Sequence, residues 1–317
     1  MGKAIRGSEV NDFLRCRTRW DYAWQQNLKP KTPNDKLFFG TLFHKYLEEW
    51  YKNHSQAQAL TAMKKLFDET DTSGMEQVVI DELWDLAFNV AENYFAKWAK
   101  DDNKMEVLAT ELEFSFPITK DRWYTGTIDL VLKDQHGQVW FMDHKTTSSM
   151  DSYEKRADMD RQISRYWWAL QQLGYDVHGF IYNIILKDVP EPPTVLKSGK
   201  LSQNKAQKTT YELYTNAVLQ NGESLSDYEE ILQHLKAQET DNGNRFFRRV
   251  KVQRLQSEID NSIIELIEVA KDMEGARIYR NITKDCSWDC SFQSICVSSM
   301  DGSNVEYLTE QLFVQKQ

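Results

Sequence analysis

Two short runs decide how this chain folds: Gly126-Thr-Ile-Asp-Leu-Val-Leu-Lys133 and Val139-Trp-Phe-Met-Asp-His-Lys145. Both are rich in β-branched and aromatic residues, as strands are, and Asp134-Gln-His-Gly137 between them has the composition of a hairpin turn. Side chains alternate along a strand. Ile128, Leu130 and Leu132 are therefore expected on one face and Asp129 on the other. Trp140, Met142 and His144 share a face, and Phe141, Asp143 and Lys145 share the opposite one. Asp143 and Lys145 then emerge together, roughly 6.6 Å apart, with Asp129 as their neighbour if the hairpin pairs. Such a group is either a surface ion pair on a sheet or a buried cluster that needs compensation. Buried like charges are costly, and Mg²⁺ or Mn²⁺, which take carboxylate oxygen and water, would offset them.

Working outward, Thr110–Ile118 alternates as a strand with Leu112, Phe114 and Phe116 on one face. Glu154–Leu173 reads as a helix ending at Gly174, and Val177–Lys187 as a buried strand. Upstream, Ser8 caps a helix to about Gln26, closed by Pro30 and Pro33, and further helices are expected over 35–53, 56–70 and 75–100. Downstream of Pro190, Pro192 and Pro193 comes a polar segment read as a loop, then helices near 206–220, 225–238 and 255–273, and an irregular cysteine-containing end. The order around the deciding runs is α-β-β-β-α-β.

The chain has 317 residues, 41% hydrophobic and 27% charged, with 13 Gly and 6 Pro, which excludes disordered and collagen-like classes. No run approaches the roughly 20 apolar residues that span a bilayer, and MGKAIRGSEVND lacks a secretory apolar core. A cytoplasmic protein with no membrane partner is expected. Arg6 stands where a myristoylation signal on Gly2 wants Ser or Thr. Net charge is −9, but Lys197–Thr210 holds four Lys and no acid, and Arg245–Arg254 holds five Lys or Arg and no acid. Those strips are either solvated faces or surfaces for a polyanion such as DNA, where aromatics among the cations would stack on unpaired bases.

Upstream, Gly40-Thr-Leu-Phe-His44 places His44 on a helix face with Thr41 and Glu48. Taken in order, Gly40–His44, Glu111, Gly126-Thr-Ile-Asp129, Asp143-His-Lys145 and Gln162-Ile-Ser-Arg-Tyr166 resemble the PD-(D/E)XK nuclease superfamily, and within it the RecB-type and CRISPR-associated nucleases, phage-encoded members included. The resemblance implies an α/β fold: a restriction-endonuclease-like α-β-β-β-α-β core with a mixed sheet, large helical additions and a cysteine-containing C-terminal segment. It divides the chain into a helical region (1–105) contributing Cys16 and His44, a nuclease core (106–190), a basic loop and helical region (191–280) and a C-terminal segment (281–317). It implies that Asp129, Asp143, His44 and the backbone carbonyl of His144 bind Mg²⁺ or Mn²⁺. Lys145 would orient or help deprotonate the attacking water and stabilise charge on the phosphate, Glu111 would act in the outer part of the metal site, and Gln162 and Tyr166 would help hold DNA. The implied reaction is phosphodiester hydrolysis to a 5′-phosphate and a 3′-hydroxyl, more in keeping with an exonuclease than an endonuclease.

Cys16 stands near one end of the chain, and Cys286, Cys290 and Cys296 near the other. Intracellular thiols rarely form disulfides, so four of them suit Zn²⁺ or an iron–sulfur cluster. In AddB-like and CRISPR-associated relatives one N-terminal and three C-terminal cysteines hold a [4Fe-4S] cluster, spaced C-x2-C-x5-C. Here the first gap is one residue longer, which keeps zinc as the alternative. No GxxxxGK[ST] motor motif is present, so unwinding would fall to a helicase or recombination partner. The expected substrate is single-stranded DNA or duplex ends, in host cytoplasm if the chain is phage-encoded. The rival function is a non-catalytic DNA-binding subunit on the same fold.

Overall fold

A computed structural model describes residues 3–32 and 34–315; Gly2 and Pro33, both used in the sequence reading, lie outside them. In chain order the elements begin with β1 (Lys3–Arg6), α1 (Gly7–Arg15), α2 (Arg17–Trp20), β2 (Leu28–Pro30), α3 (Asp35–Asn53), α4 (Gln56–Glu69) and α5 (Gln77–Asp102). The central part holds β3 (Glu106–Pro117), β4 (Arg122–Lys133), β5 (Val139–Thr147), α6 (Asp151–Glu154), α7 (Arg161–Gln172) and β6 (Val177–Leu186). Then follow α8 (Tyr211–Gln220), α9 (Glu229–Ala237), β7 (Phe247–Val252), α10 (Gln256–Asp272), α11 (Cys286–Asp289), α12 (Gln293–Asp301), α13 (Val305–Leu312) and β8 (Phe313–Gln315).

The expected mixed sheet is present, with six strands instead of four. β3 runs antiparallel to β4 along nearly its whole length. The other edge of β4 forks: β1 pairs in parallel with Arg122–Thr125, and β5 pairs antiparallel with Leu130–Lys133. Gly126–Asp129 lie in the gap of that fork. β5 runs on past the fork beside β6, and β6 pairs antiparallel with β7. One core lies between the sheet and α3–α5, with Leu130, Leu132, Trp140 and Met142 facing it. The other lies between the sheet and α1, α7 and α10, with Tyr124, Ile128, Val131 and Phe141 facing it. Helices on both faces of a sheet give three layers.

One detail of the alternation is corrected. Ile128 does not share a face with Leu130 and Leu132; it belongs to the opposite core. The phase changes at Asp129, and the cause sits across the ladder. Register runs from Thr110↔Leu130 to Leu112↔Ile128, skipping the Glu111/Asp129 pair. Glu111 has φ 47°, the left-handed region that a non-glycine residue enters at a cost. The two strands therefore turn over together where the candidate acids sit. Gly126, just upstream, is needed for close approach: a β-carbon there would meet the Phe114 ring at 2.7 Å.

Other boundaries differ for local reasons. The expected 8–26 helix breaks at Cys16, which is extended (φ −162°, ψ 121°). The 154–173 helix starts in earnest at Arg161, capped by Asp160, whose side chain accepts from Gln162 N at 2.8 Å. β7 lies inside the basic strip Arg245–Arg254, where arginine and lysine mask a strand. Lys205, Lys208, Arg248 and Arg249 pair with Glu230, Asp188, Glu154 and Asp102, so much of the strips' charge is neutralised within the protein. The segment after the prolines is anchored by buried Leu201 against Tyr214, Val218 and Tyr228. Among the described residues no helix is long and apolar enough to cross a membrane.

Candidate active site

The fork brings the separate elements together. His44 comes from α3, Glu111 from β3 and Asp129 from β4, and one ligand atom from each lies within 4.8 Å of the others. His44 Nδ1 is 3.6 Å from Asp129 Oδ2, while its Nε2 lies 2.9 Å from the carbonyl oxygen of His144. A carbonyl only accepts, so Nε2 carries a proton and donates to it, while Nδ1 faces the Asp129 carboxylate. Where the β4–β5 ladder has opened, the His144 N–H donates to Asp129 Oδ2 at 2.8 Å, a side chain standing in for the missing strand partner.

Asp143 and Lys145 emerge on one face, as alternation requires. Lys145 Nζ is 2.6 Å from Asp143 Oδ2, and Gln162 bridges the two, donating Nε2 to Asp143 Oδ1 at 3.2 Å and accepting from Lys145 at 3.4 Å. Asp143 thus stands beside the His44–Glu111–Asp129 group, turned toward the lysine. Glu111, read from sequence as an outer residue, lies within that group. Tyr166, one turn along α7 from Gln162, packs edge-on against Phe114 at 5.5 Å.

Charge here is under-compensated. Burial, and then the neighbouring Asp143, push the Asp129 carboxyl up to about 7. Burial also raises Glu111, against the opposing influence of His44. Burial works against the Lys145 ammonium, but the Asp143 carboxylate outweighs it and the pKa ends above the ordinary lysine value. Two half-buried carboxyls, an imidazole nitrogen and a backbone carbonyl form a hard, oxygen-rich donor set of the kind that suits Mg²⁺ or Mn²⁺.

The model of the PD-(D/E)XK nuclease superfamily matches residues 7–297. The chain belongs to this superfamily. A search of curated proteins finds no match. Among solved structures, the chain is similar to SSO0001 (12% identity, TM-score 0.35, covering 92% of this chain and 85% of that one). It is also similar to a Eubacterium rectale protein bearing an exonuclease name (11% identity, TM-score 0.41, covering 73% and 81%).

Behind the superfamily's acidic motif lies a polar network that the sequence reading missed. The His144 ring is buried, stacked on Tyr51 at 5.7 Å, and its Nδ1 lies 2.9 Å from Asn183 Nδ2. Burial, then the charges of His44 and Arg249, hold its pKa well below the ordinary histidine value. Asn183 also donates to Tyr94 Oη at 2.8 Å. Arg249 reaches Tyr94 and Tyr51 and pairs with Asp102 at 2.7 Å. The available signal was Asn183 itself, a lone amide inside VHGFIYNIILK.

The nuclease's two chain ends meet on one side. Arg15 pairs with Asp289 at 2.7 Å, Arg19 donates to the Asp289 carbonyl at 2.9 Å, and β2 pairs with β8. Cys16 Sγ accepts from Asn281 N at 3.4 Å. Cys16, Cys286, Cys290 and Cys296 are all partly exposed and none forms a disulfide. No three of their sulfurs lie within 4.8 Å of one another.

Proposed function

We propose that the protein is a metal-dependent deoxyribonuclease of the RecB type, an exonuclease that hydrolyses phosphodiester bonds to a 5′-phosphate and a 3′-hydroxyl. The observation that carries this reading is the convergence of His44, Glu111 and Asp129 from three elements at the sheet fork, with the Asp143–Lys145 pair alongside. His44, Asp129, Asp143 and the His144 carbonyl would hold Mg²⁺ or Mn²⁺, with Glu111 as a further carboxylate. When bound, the cation supplies Lewis acidity toward the phosphate and lowers the pKa of water. Lys145, kept as an ammonium by Asp143, donates to the attacking water or to a phosphate oxygen and stabilises developing negative charge. Gln162 holds Asp143 and Lys145 in mutual register, and Tyr166 offers its ring and hydroxyl to the strand.

The same reading assigns Cys16, Cys286, Cys290 and Cys296 to a structural [4Fe-4S] cluster that ties the C-terminal segment (281–317) to the helical region (1–105), around the nuclease core (106–190). The enzyme would act on DNA ends in the cytoplasm, beside a helicase or recombination partner.

Digestion of 5′- and 3′-labelled single- and double-stranded DNA with Mg²⁺ or Mn²⁺ tests the activity. Wild type is expected to degrade ends and Lys145→Ala to leave them intact; equal degradation by both would remove Lys145 from the chemistry. Visible absorption of anaerobically purified protein tests the cluster, and a colourless, zinc-loaded sample would exclude it.

A further inference from the structure

Beside the candidate active site, between the start of α1, the fork of β4 and the start of α7, lies a cleft of about 1150 Å³. It is continuous with the site, since Lys145, Gln162 and Tyr166 line it too. Its inner wall holds two buried polar side chains that the fold leaves unsatisfied. Arg165 is 2% exposed, and its Nε and Nη2 find no hydrogen-bond partner. Tyr124 is fully buried, and its hydroxyl likewise has none.

An unpaired buried guanidinium is costly, so an isolated Arg165 would be a poor choice for stability alone. No carboxylate among the described residues comes within ion-pair distance of it. Its neighbour Arg161 takes Glu265 at 3.0 Å. Arg6 and Arg156 also line the cleft, against two acids, Glu113 and Asp160. Of these, Asp160 is engaged in capping α7.

The α1 N-terminus completes the surroundings. Gly7 and Ser8 line the cleft, and no side chain caps the first turn. Tyr124 Oη stands 3.4 Å from where a Gly7 β-carbon would lie, so the orphan hydroxyl sits at the helix start. The one acid of that turn, Glu9, does not line the cleft; it accepts from Trp20 Nε1 at 3.1 Å. A guanidinium fork, a phenol and a helix N-terminus together present donors and positive potential to one volume, the combination that holds a phosphate.

We propose that Arg165, Tyr124 and the N-terminus of α1 form a pocket for a phosphate group of the nucleic-acid strand, separate from the phosphate that is cleaved. The identity of the ligand rests on the nuclease reading; the anion preference rests on the pocket. Two sources share this chemistry, a 5′-terminal phosphate and an internal phosphodiester.

The test is binding in EDTA, where no cleavage occurs, of two 3′-fluorescein single-stranded oligonucleotides of one sequence, one with a 5′-phosphate and one with a 5′-hydroxyl. Arg165→Met is expected to weaken the phosphorylated strand about tenfold, the loss of a charge-assisted bidentate contact. If the hydroxyl twin is unaffected, the pocket takes the terminal phosphate; if both weaken equally, it takes an internal one. Tyr124→Phe, which removes a single oxygen, is expected to weaken the same strand or strands about threefold, and it serves if Arg165→Met fails to fold. Folded variants that bind both strands as wild type does would overturn the pocket. A protein that binds as expected but cuts neither strand with Mn²⁺ keeps the pocket and loses the nuclease reading.

Discussion

Asp129 is a half-buried carboxylate and Asp102 a fully buried one, and His144 links their surroundings, yet the protein treats them in opposite ways. Asp102 is closed: Arg249 pairs with it at 2.7 Å, and Trp50 Nε1 and Tyr51 Oη donate at 3.1 and 3.2 Å. Asp129 is open: one backbone amide donates to it, Asp143 repels it, and its carboxyl is driven up to about 7. A buried network whose charges are paired holds a shape, whereas an excess of one charge away from water marks where a ligand belongs. His144 joins the two, its ring in the closed network and its N–H and C=O in the open site.

The largest effect expected is on cleavage. Asp129→Asn should lower the rate about a thousandfold or more, because an amide is a poor ligand for a hard cation. The same change should make the metal-free protein at pH 8 more stable by about 1–3 kcal/mol, since it relieves repulsion between Asp129 and Asp143. Labelled-DNA digestion and urea unfolding check the two halves. A variant that is both inactive and less stable would show that Asp129 is as well satisfied as Asp102, and the contrast would fail.

On the closed side the sign reverses. Arg249→Met should cost about 3–5 kcal/mol in urea unfolding, the usual result of stranding one member of a buried ion pair. Adding Asp102→Asn should recover part of that loss, because the stranded charge is gone. A loss under about 1 kcal/mol for Arg249→Met, the range of exposed pairs, would mean that the network is not what holds this side of the sheet.

The two sides also differ in how far the sequence revealed them. Asp143 and Lys145 were legible because strand alternation is local and strict, and His44 through motif order. The phase change at Asp129 was not, since it depends on Glu111 adopting φ 47° in a different strand. β7 was hidden because Arg248, Arg249 and Lys251 read as solvated charge, while Arg249 finds its partner at Asp102, far away in sequence. Pairings between distant residues leave little trace in local pattern, so the closed network and the Arg165 cleft emerged only from the structure. The cysteines lie between these cases: their grouping is visible in the sequence, and the meeting of the chain ends only in space.

Acidity offers a smaller and reversible way to probe the open site. Asp129 titrates higher in the folded chain than in the unfolded one, near 3.9, so its protonated form favours folding. In the metal-free protein that contribution is fully present below pH about 4 and is lost as pH rises through about 7, an effect on the order of a few kcal/mol at most. A divalent cation competes with the same proton, so the stabilisation by Mn²⁺ should grow over that interval. Thermal midpoints between pH 5 and 8, with EDTA or with Mn²⁺, check both slopes. An Mn²⁺ effect independent of pH would place the ion away from Asp129.

The smallest effect should come where the two networks touch. Asn183 Nδ2 donates to both Tyr94 Oη and His144 Nδ1, so it fixes which ring nitrogen of His144 carries the proton and how the ring lies on Tyr51. The ring in turn fixes the His144 peptide, whose N–H meets Asp129 and whose carbonyl meets His44. Asn183→Ala leaves every candidate ligand in place and removes only this orientation. Outer partners of metal ligands are typically worth 10–100-fold in affinity, and Asn183 lies one bond further out. The Mn²⁺ concentration for half-maximal cleavage is therefore expected to rise about tenfold, with the rate at saturating Mn²⁺ changed less. A fall in the saturating rate with no change in Mn²⁺ requirement would locate the effect at Lys145 and the strand. A variant unchanged in both would mean that the closed network stabilises the fold without setting the geometry of the open one.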